Sequence, residues 1–219
     1  MTGPLEAVWA ELDPHDPPSV VWHRPVPGQR VVVLMGAFDP LTRAHCAVLS
    51  ASARSVDAPG AFCMTKVLLD RGDDELLTPR QRLRLLDDLS RSRGFGLVLA
   101  NRGTYVDVDR AMRATGIDAT FVIGSDKLEQ LADPSFYPDG ERGVAATFAQ
   151  VRLLVVPRPG AEVRREDVTV LDPAEAFGDR AQTTISSTEV RRRVRAGENV
   201  DALVPPEVAV GLGGYTAAK

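Results

Sequence analysis

At 219 residues the chain has room for one substantial domain with a buried core, or for one domain with a short appendage. Hydrophobic residues make up 44% and charged residues 26%, the balance of a folded globular protein, and no window approaches the roughly eighteen uncharged apolar residues of a membrane span. The formal net charge of -4 argues against the broad basic face that duplex nucleic acid requires, whereas a small anionic ligand needs only a few local cations.

The start, "MTGPLEAVWAELDPHD", offers neither a basic n-region nor a continuous apolar h-region, so the expected location is the cytoplasm, with no membrane partner. Leu5, Val8, Trp9 and Leu12 fall at helical spacing and predict a short amphipathic helix. It can dock on its own domain or on a partner subunit, which leaves a homodimer open. Of the 16 prolines, six lie in the first 28 residues, and "DPHDPPSVVWHRPVPGQR" can hold neither a helix nor a central strand. Residues 1–28 therefore read as a proline-rich extension and 29–219 as the main domain.

From Arg30 the chain alternates. Strands are expected over Arg30–Gly36, Ala61–Asp70, Phe95–Ala100, Ala119–Gly124 and Val151–Pro157. Helices are expected over Arg43–Val56, over Thr78–Ser92 with Pro79 in the first turn, and over Tyr105–Gly116. Near-continuous apolar strands in βαβ order predict an α/β fold, a Rossmann-like parallel sheet with helices on both faces. Towards the end, "TTISSTEVRRRVRAGENVDALVPPEVAVGL" carries a capping signal, a basic helix ended by Gly197, and a further helix opening at Pro205 or Pro206. The 2 cysteines, Cys46 and Cys63, lie in apolar runs without C-x-x-C spacing and read as buried reduced thiols, so no protein metal site is expected.

Ligands of open parallel sheets bind beyond the carboxyl ends of the strands, and Gly36–His45 lies at such an end. Gly36 permits close backbone approach, Pro40 pushes Asp39 towards extended geometry, and Thr42 can cap a helix carrying His45 at its third position. Exposed N–H groups and one imidazole then face the crevice, and an anion is the natural guest. His45 can equally be a plain cap of the first turn. The G-x-G-x-x-G dinucleotide fingerprint is missing from this position. In the second stretch, Ser186 and Glu189 have capping-box spacing, while Ser187 and Arg191 share one helical face and can converge on a phosphate chain. Arg192, Arg193 and Arg195 fit a solvated basic face.

Together the two stretches resemble a known family. "GAFDPLTRAH" is similar to the G-x-F-D-P-x-(T/H)-x-x-H signature of the nucleotidylyltransferase superfamily, and "ISSTEVRRRV" to its I-S-S-T-x-x-R signature. Within it, "FVIGSDKL", "VVPRPG" and "DALVPPEV" most resemble the nicotinate or nicotinamide mononucleotide adenylyltransferases.

The resemblance implies transfer of the AMP moiety of ATP to a pyridine mononucleotide with release of pyrophosphate, in NAD biosynthesis, the partners being these small molecules. It implies catalytic roles for His45, Thr42 and Arg191, and ATP contacts from Gly36, Ala37, Phe38, Gly124, Asp126, Ile185, Ser186, Ser187 and Thr188. Acceptor contacts would come from Thr104, Tyr105, Phe136, Tyr137 and Lys66. Mg2+ would accompany ATP, held by phosphate oxygens and water more than by protein. Two alternatives stay open: a nucleotidylyltransferase for a different phosphate acceptor, and a nucleotide-binding regulatory protein with weak catalysis.

Overall fold

The computed structural model describes residues 5–67, 75–137, 139–158, 163–177 and 185–216. Among them, α1 (Leu5–Glu11) and β1 (Val20–Arg24) precede a βα alternation of β2 (Arg30–Met35), α2 (Arg43–Val56), β3 (Gly60–Thr65), α3 (Pro79–Arg93), β4 (Gly96–Ala100), α4 (Tyr105–Ala114) and β5 (Asp118–Gly124). Then come α5 (Ser125–Leu131), a 3-10 turn (Pro134–Phe136), α6 (Glu141–Gln150), β6 (Arg152–Val156), β7 (Thr169–Val170), α7 (Pro173–Phe177), α8 (Ser187–Ala196) and α9 (Pro206–Thr216).

The strands form one 7-stranded sheet in the order β1-β4-β3-β2-β5-β6-β7, parallel throughout except where β1 pairs antiparallel with β4. The chain winds outward from β2 through β3 to β4, then returns to lay β5 on the other side of β2. That reversal opens a crevice beyond the carboxyl ends of β2 and β5, where open sheets bind ligands.

Alternate residues of each strand feed opposite layers. Val32, Leu34, Phe62, Met64, Leu97 and Leu99 pack with α1, α2, α3, α8 and α9, while Val31, Val33, Cys63, Val98 and Phe121 pack with α4 and α5. The expected α/β Rossmann-like sheet with helices on both faces is therefore what the chain forms. Burial raises the Cys46 thiol to about 11 and the Cys63 thiol to about 12, and neither is in a disulfide.

The helices start and stop where their caps direct. Thr78 caps α3 and exchanges a reciprocal box with Gln81, and Gly94 and Gly197 close α3 and α8 in the left-handed conformation. α4 ends at Ala114, two residues earlier than the sequence pattern suggests, because the Thr115 and Gly116 N–H groups turn back to Met112 and Arg113.

One expectation needs correction, and the lead-in adds an edge strand that the expectation of no central strand allows. The second strand ends at Thr65, not Asp70: the Thr65 hydroxyl donates to the Val67 carbonyl and bends the chain, and residues 68–70 lie outside the described ones. The lead-in also contains a strand, β1, in the one stretch between its prolines long enough to pair, and that strand sits at the sheet edge where flanking prolines are tolerated. α1 packs on α3 of its own chain, with Leu5 and Leu12 buried and Glu6 paired to Arg80 and Arg84. Among the described residues no helix is long and apolar enough to cross a membrane.

Candidate active site

A cavity of about 310 Å³ occupies the crevice between the first turns of α2 and α8. Its apolar wall includes Leu34, Val48, Val122, Val156 and Phe177, and its polar wall includes Thr42, His45, Asp126, Lys127 and Arg158. One carboxylate against two fixed cations makes the polar wall suited to an anion.

At the start of α2, Thr42 is the N-cap and fully buried, and its side chain accepts the His45 N–H. His45 completes a reciprocal box, because its Nδ1 accepts the Thr42 backbone N–H at 3.0 Å. That bond fixes the neutral ring as the Nε2–H tautomer, with the donor directed away from the cap. Burial first, and the Arg158 cation second, lower the His45 pKa to about 4. His45 is thus both a cap and a crevice residue, and the imidazole is uncharged at neutral pH.

The second motif docks on the first. The Ser187 hydroxyl donates to the Pro40 carbonyl at 2.8 Å, and Arg191 Nη1 donates to the Asp39 carbonyl at 2.9 Å. Asp39 is buried, and its two carboxylate oxygens accept the N–H groups of Leu76 and Leu77, each at 2.8 Å. Ser186 caps α8 by accepting the Glu189 N–H at 3.2 Å. The reciprocal half of the expected box is replaced, since the Glu189 carboxylate turns to Arg192 and Arg193 on the helix surface.

At the end of β5, Gly124 caps α5, and its missing side chain leaves room for the Asp126 carboxylate to fold over the turn. Asp126 pairs with Arg158 at 3.1 Å, and Ser125 Oγ accepts the Arg158 N–H at 3.0 Å. These contacts hold the chain leaving β6 against the start of α5.

Of the residues singled out in the sequence, Thr42, His45, Tyr105, Gly124, Asp126, Ile185, Ser186, Ser187 and Thr188 meet in the crevice lining. Gly36, Ala37 and Phe38 are outside that lining, and Arg191, also outside it, ties Asp39 to Thr188, which is in it. Thr104 caps α4 by accepting the Asp107 N–H, and the Tyr137 hydroxyl donates to the Leu131 carbonyl at 2.9 Å. Phe136 closes the 3-10 turn beside it and, like Thr104 and Tyr137, lies outside the lining.

Lys66 is elsewhere again: its Nζ donates to the carbonyls of Trp9, Ala10 and Leu12 and caps the end of α1. Lys127, Arg158 and Phe177 are crevice residues for which the sequence reading assigned no role. Arg158 had a usable signal, since it follows directly on an apolar strand and so must stand at the carboxyl edge of a parallel sheet.

Comparison with known proteins bears on the family and the fold. The model of the Cytidylyltransferase-like family matches residues 33–193. A candidate nicotinate-nucleotide adenylyltransferase from Vibrio parahaemolyticus superposes with a TM-score of 0.56 at 16% identity, over 86% of this chain and 94% of that one. A nicotinic acid mononucleotide adenylyltransferase from Plasmodium falciparum, complexed with NaAD, gives 0.62 at 15% identity over 86% and 96%. The same Plasmodium enzyme complexed with APC gives 0.58 at 15% identity, with the same coverage. No curated protein matches significantly. With the family model spanning both motifs and most of the sheet, the chain belongs to the Cytidylyltransferase-like family of nucleotidylyltransferases.

Proposed function

We propose that the chain is an adenylyltransferase that joins the AMP moiety of ATP to nicotinate or nicotinamide mononucleotide and releases pyrophosphate. The single observation that carries this reading is the convergence of the α2 and α8 N-termini on one crevice, with Thr42, His45, Ser187 and Thr188 on its wall. Helix N-termini favour anions, and the cations Lys127 and Arg158 add to that preference. The named activities of the structural neighbours support a pyridine nucleotide as acceptor.

In the reaction, a phosphate oxygen of the mononucleotide attacks the α-phosphorus of ATP. A new P–O bond forms, the bond from the α-phosphorus to the bridging oxygen breaks, and pyrophosphate leaves with that electron pair. The attacking phosphate is already an anion, so no general base is needed, and catalysis reduces to positioning and charge stabilisation. The neutral His45 donates its Nε2–H to the transferring phosphate, and Thr42 holds that ring through Nδ1. The Ser187 and Thr188 backbone N–H groups at the start of α8, with the Thr188 hydroxyl, orient the β and γ phosphates. Mg2+ enters with ATP as part of the substrate, coordinated by phosphate oxygens and water. Tyr105, the first residue of α4 and part of the crevice lining, is assigned to the acceptor side.

The test is pyrophosphate release by the purified protein with ATP and Mg2+, comparing nicotinate mononucleotide, nicotinamide mononucleotide, phosphopantetheine and no acceptor. Release confined to a pyridine nucleotide supports the proposal. Release with phosphopantetheine alone, or ATP binding without release for every acceptor, contradicts it.

A further inference from the structure

Arg82 lies in the first half of α3, and its side chain is only 1% exposed. Burying a guanidinium is unfavourable unless its charge and donors are well matched. Its carboxylate partner, Glu75 at 3.1 Å, is 41% exposed, and the Arg82 Nε has no hydrogen-bond partner among the described residues. The group therefore is not buried for the sake of a good ion pair. It does reach the first motif: Nη1 donates to the Ala37 carbonyl at 3.2 Å.

Ala37 precedes Phe38, a non-glycine residue in the left-handed region at φ 50°. Such a conformation persists only where neighbouring contacts over-determine it. Here Arg82 holds the residue before Phe38, while Leu76, Leu77 and Arg191 hold Asp39 after it. The Phe38 ring, so fixed, meets the His45 ring edge-on with centroids 5.5 Å apart and an interplanar angle of 78°, and it is backed by Phe62 at 5.4 Å.

We propose that Arg82 is a positioning residue for the transfer reaction: through the Ala37 carbonyl and the Phe38 ring it fixes the His45 imidazole with Nδ1 on the Thr42 N–H and Nε2–H in the crevice. Its kinetic consequence rests on the adenylyltransferase reading, whereas its effect on His45 does not. Because Ala37 and Phe38 are not among the lining residues and Phe38 reaches the crevice through the His45 ring, the effect falls on turnover more than on ATP binding.

The experiment pairs a ring-nitrogen NMR measurement with kinetics. The chain has 3 histidines, and the His45 signals are those lost in His45→Ala. The wild-type protein should show one Nε2–H tautomer at His45, Arg82→Met a mixture of tautomers, and Arg82→Lys an intermediate state, since lysine keeps the charge but not the fork. Arg82→Met should lower kcat about tenfold, change KM for ATP by less than about twofold, and have less than about a twofold effect in the His45→Ala background. An unchanged His45 tautomer in the folded variant, or equal losses in both backgrounds, overturns the inference. If Arg82→Met does not fold, Arg82→Lys carries the same comparisons. A wild-type protein without turnover, but with the tautomer shift in the variant, would sink the adenylyltransferase reading and uphold the placement of His45 by Arg82.

Discussion

Arg191 donates its Nη1 to the backbone carbonyl of Asp39 across 2.9 Å, joining the helix of the second motif to the loop of the first. A residue with the chemistry of a phosphate ligand is thus also a bolt between the two halves of the crevice. Its Nη2 donates to the Thr188 hydroxyl at 3.2 Å, so the fork serves two acceptors that one ammonium cannot reach together. Arg191→Lys is expected to raise KM for ATP about tenfold while shifting Tm by only a few degrees, as read from steady-state kinetics and thermal denaturation. An unchanged KM would show that the fork is dispensable.

His45→Ala is expected to lower turnover by about a hundredfold or more, the usual scale for losing one preorganised donor, with far-UV circular dichroism unchanged. Near-normal turnover in a folded variant would remove His45 from the chemistry.

The depressed pKa of His45 also makes a stability prediction. In the unfolded chain the ring takes up its proton near pH 6.5, whereas in the folded protein it resists protonation down to about 4. The unfolded state therefore binds more protons between these values, and the stability present above pH 6.5 is lost as pH falls towards 4. Thermal scans across that window should show a steeper decline for the wild type than for His45→Gln. Parallel declines would mean that the folded-state ring titrates like a free histidine.

Asp39 is expected to act through the frame. Its carboxylate accepts two buried N–H groups, and an asparagine would have to present its own amide donor to one of them. Asp39→Asn should destabilise the protein by about 1–3 kcal/mol, measured by denaturant unfolding. A neutral effect would mean that residues 75–78 reposition without loss.

Lys66 closes the end of α1 through three carbonyls. Lys66→Met should therefore lower stability by about 1–2 kcal/mol and speed proteolysis within α1, with KM for the acceptor changed less than about twofold. A large rise in that KM with unchanged stability would return Lys66 to the acceptor site.

Much of the fold was legible because parallel strands buried on both faces are written as apolar runs, as in "VVVLM" and "FVIG", and because Pro79 and Gly197 mark helix ends in the sequence itself. β1 was not legible, since edge pairing depends on a partner strand 80 residues away whose position only the tertiary fold supplies. The short α5 and β7 have too few residues to show a period. In the site, Thr42, His45 and Ser186 were readable from capping chemistry. The place of Lys66 was not legible because its cation looks the same in sequence whether it faces a substrate or the carbonyls of α1, and Arg82 was hidden as one arginine among several in a helix of basic composition.

Transfer of AMP from ATP to a pyridine mononucleotide in this crevice leaves a product that phosphorus resonances resolve. The most direct measurement is phosphorus-31 NMR of a reaction containing ATP, Mg2+ and nicotinate or nicotinamide mononucleotide, run with wild-type protein and with His45→Ala. Dinucleotide pyrophosphate signals should grow in step with inorganic pyrophosphate in the wild type and be suppressed in the variant. Inorganic pyrophosphate without the dinucleotide, or equal product from both proteins, would contradict that transfer.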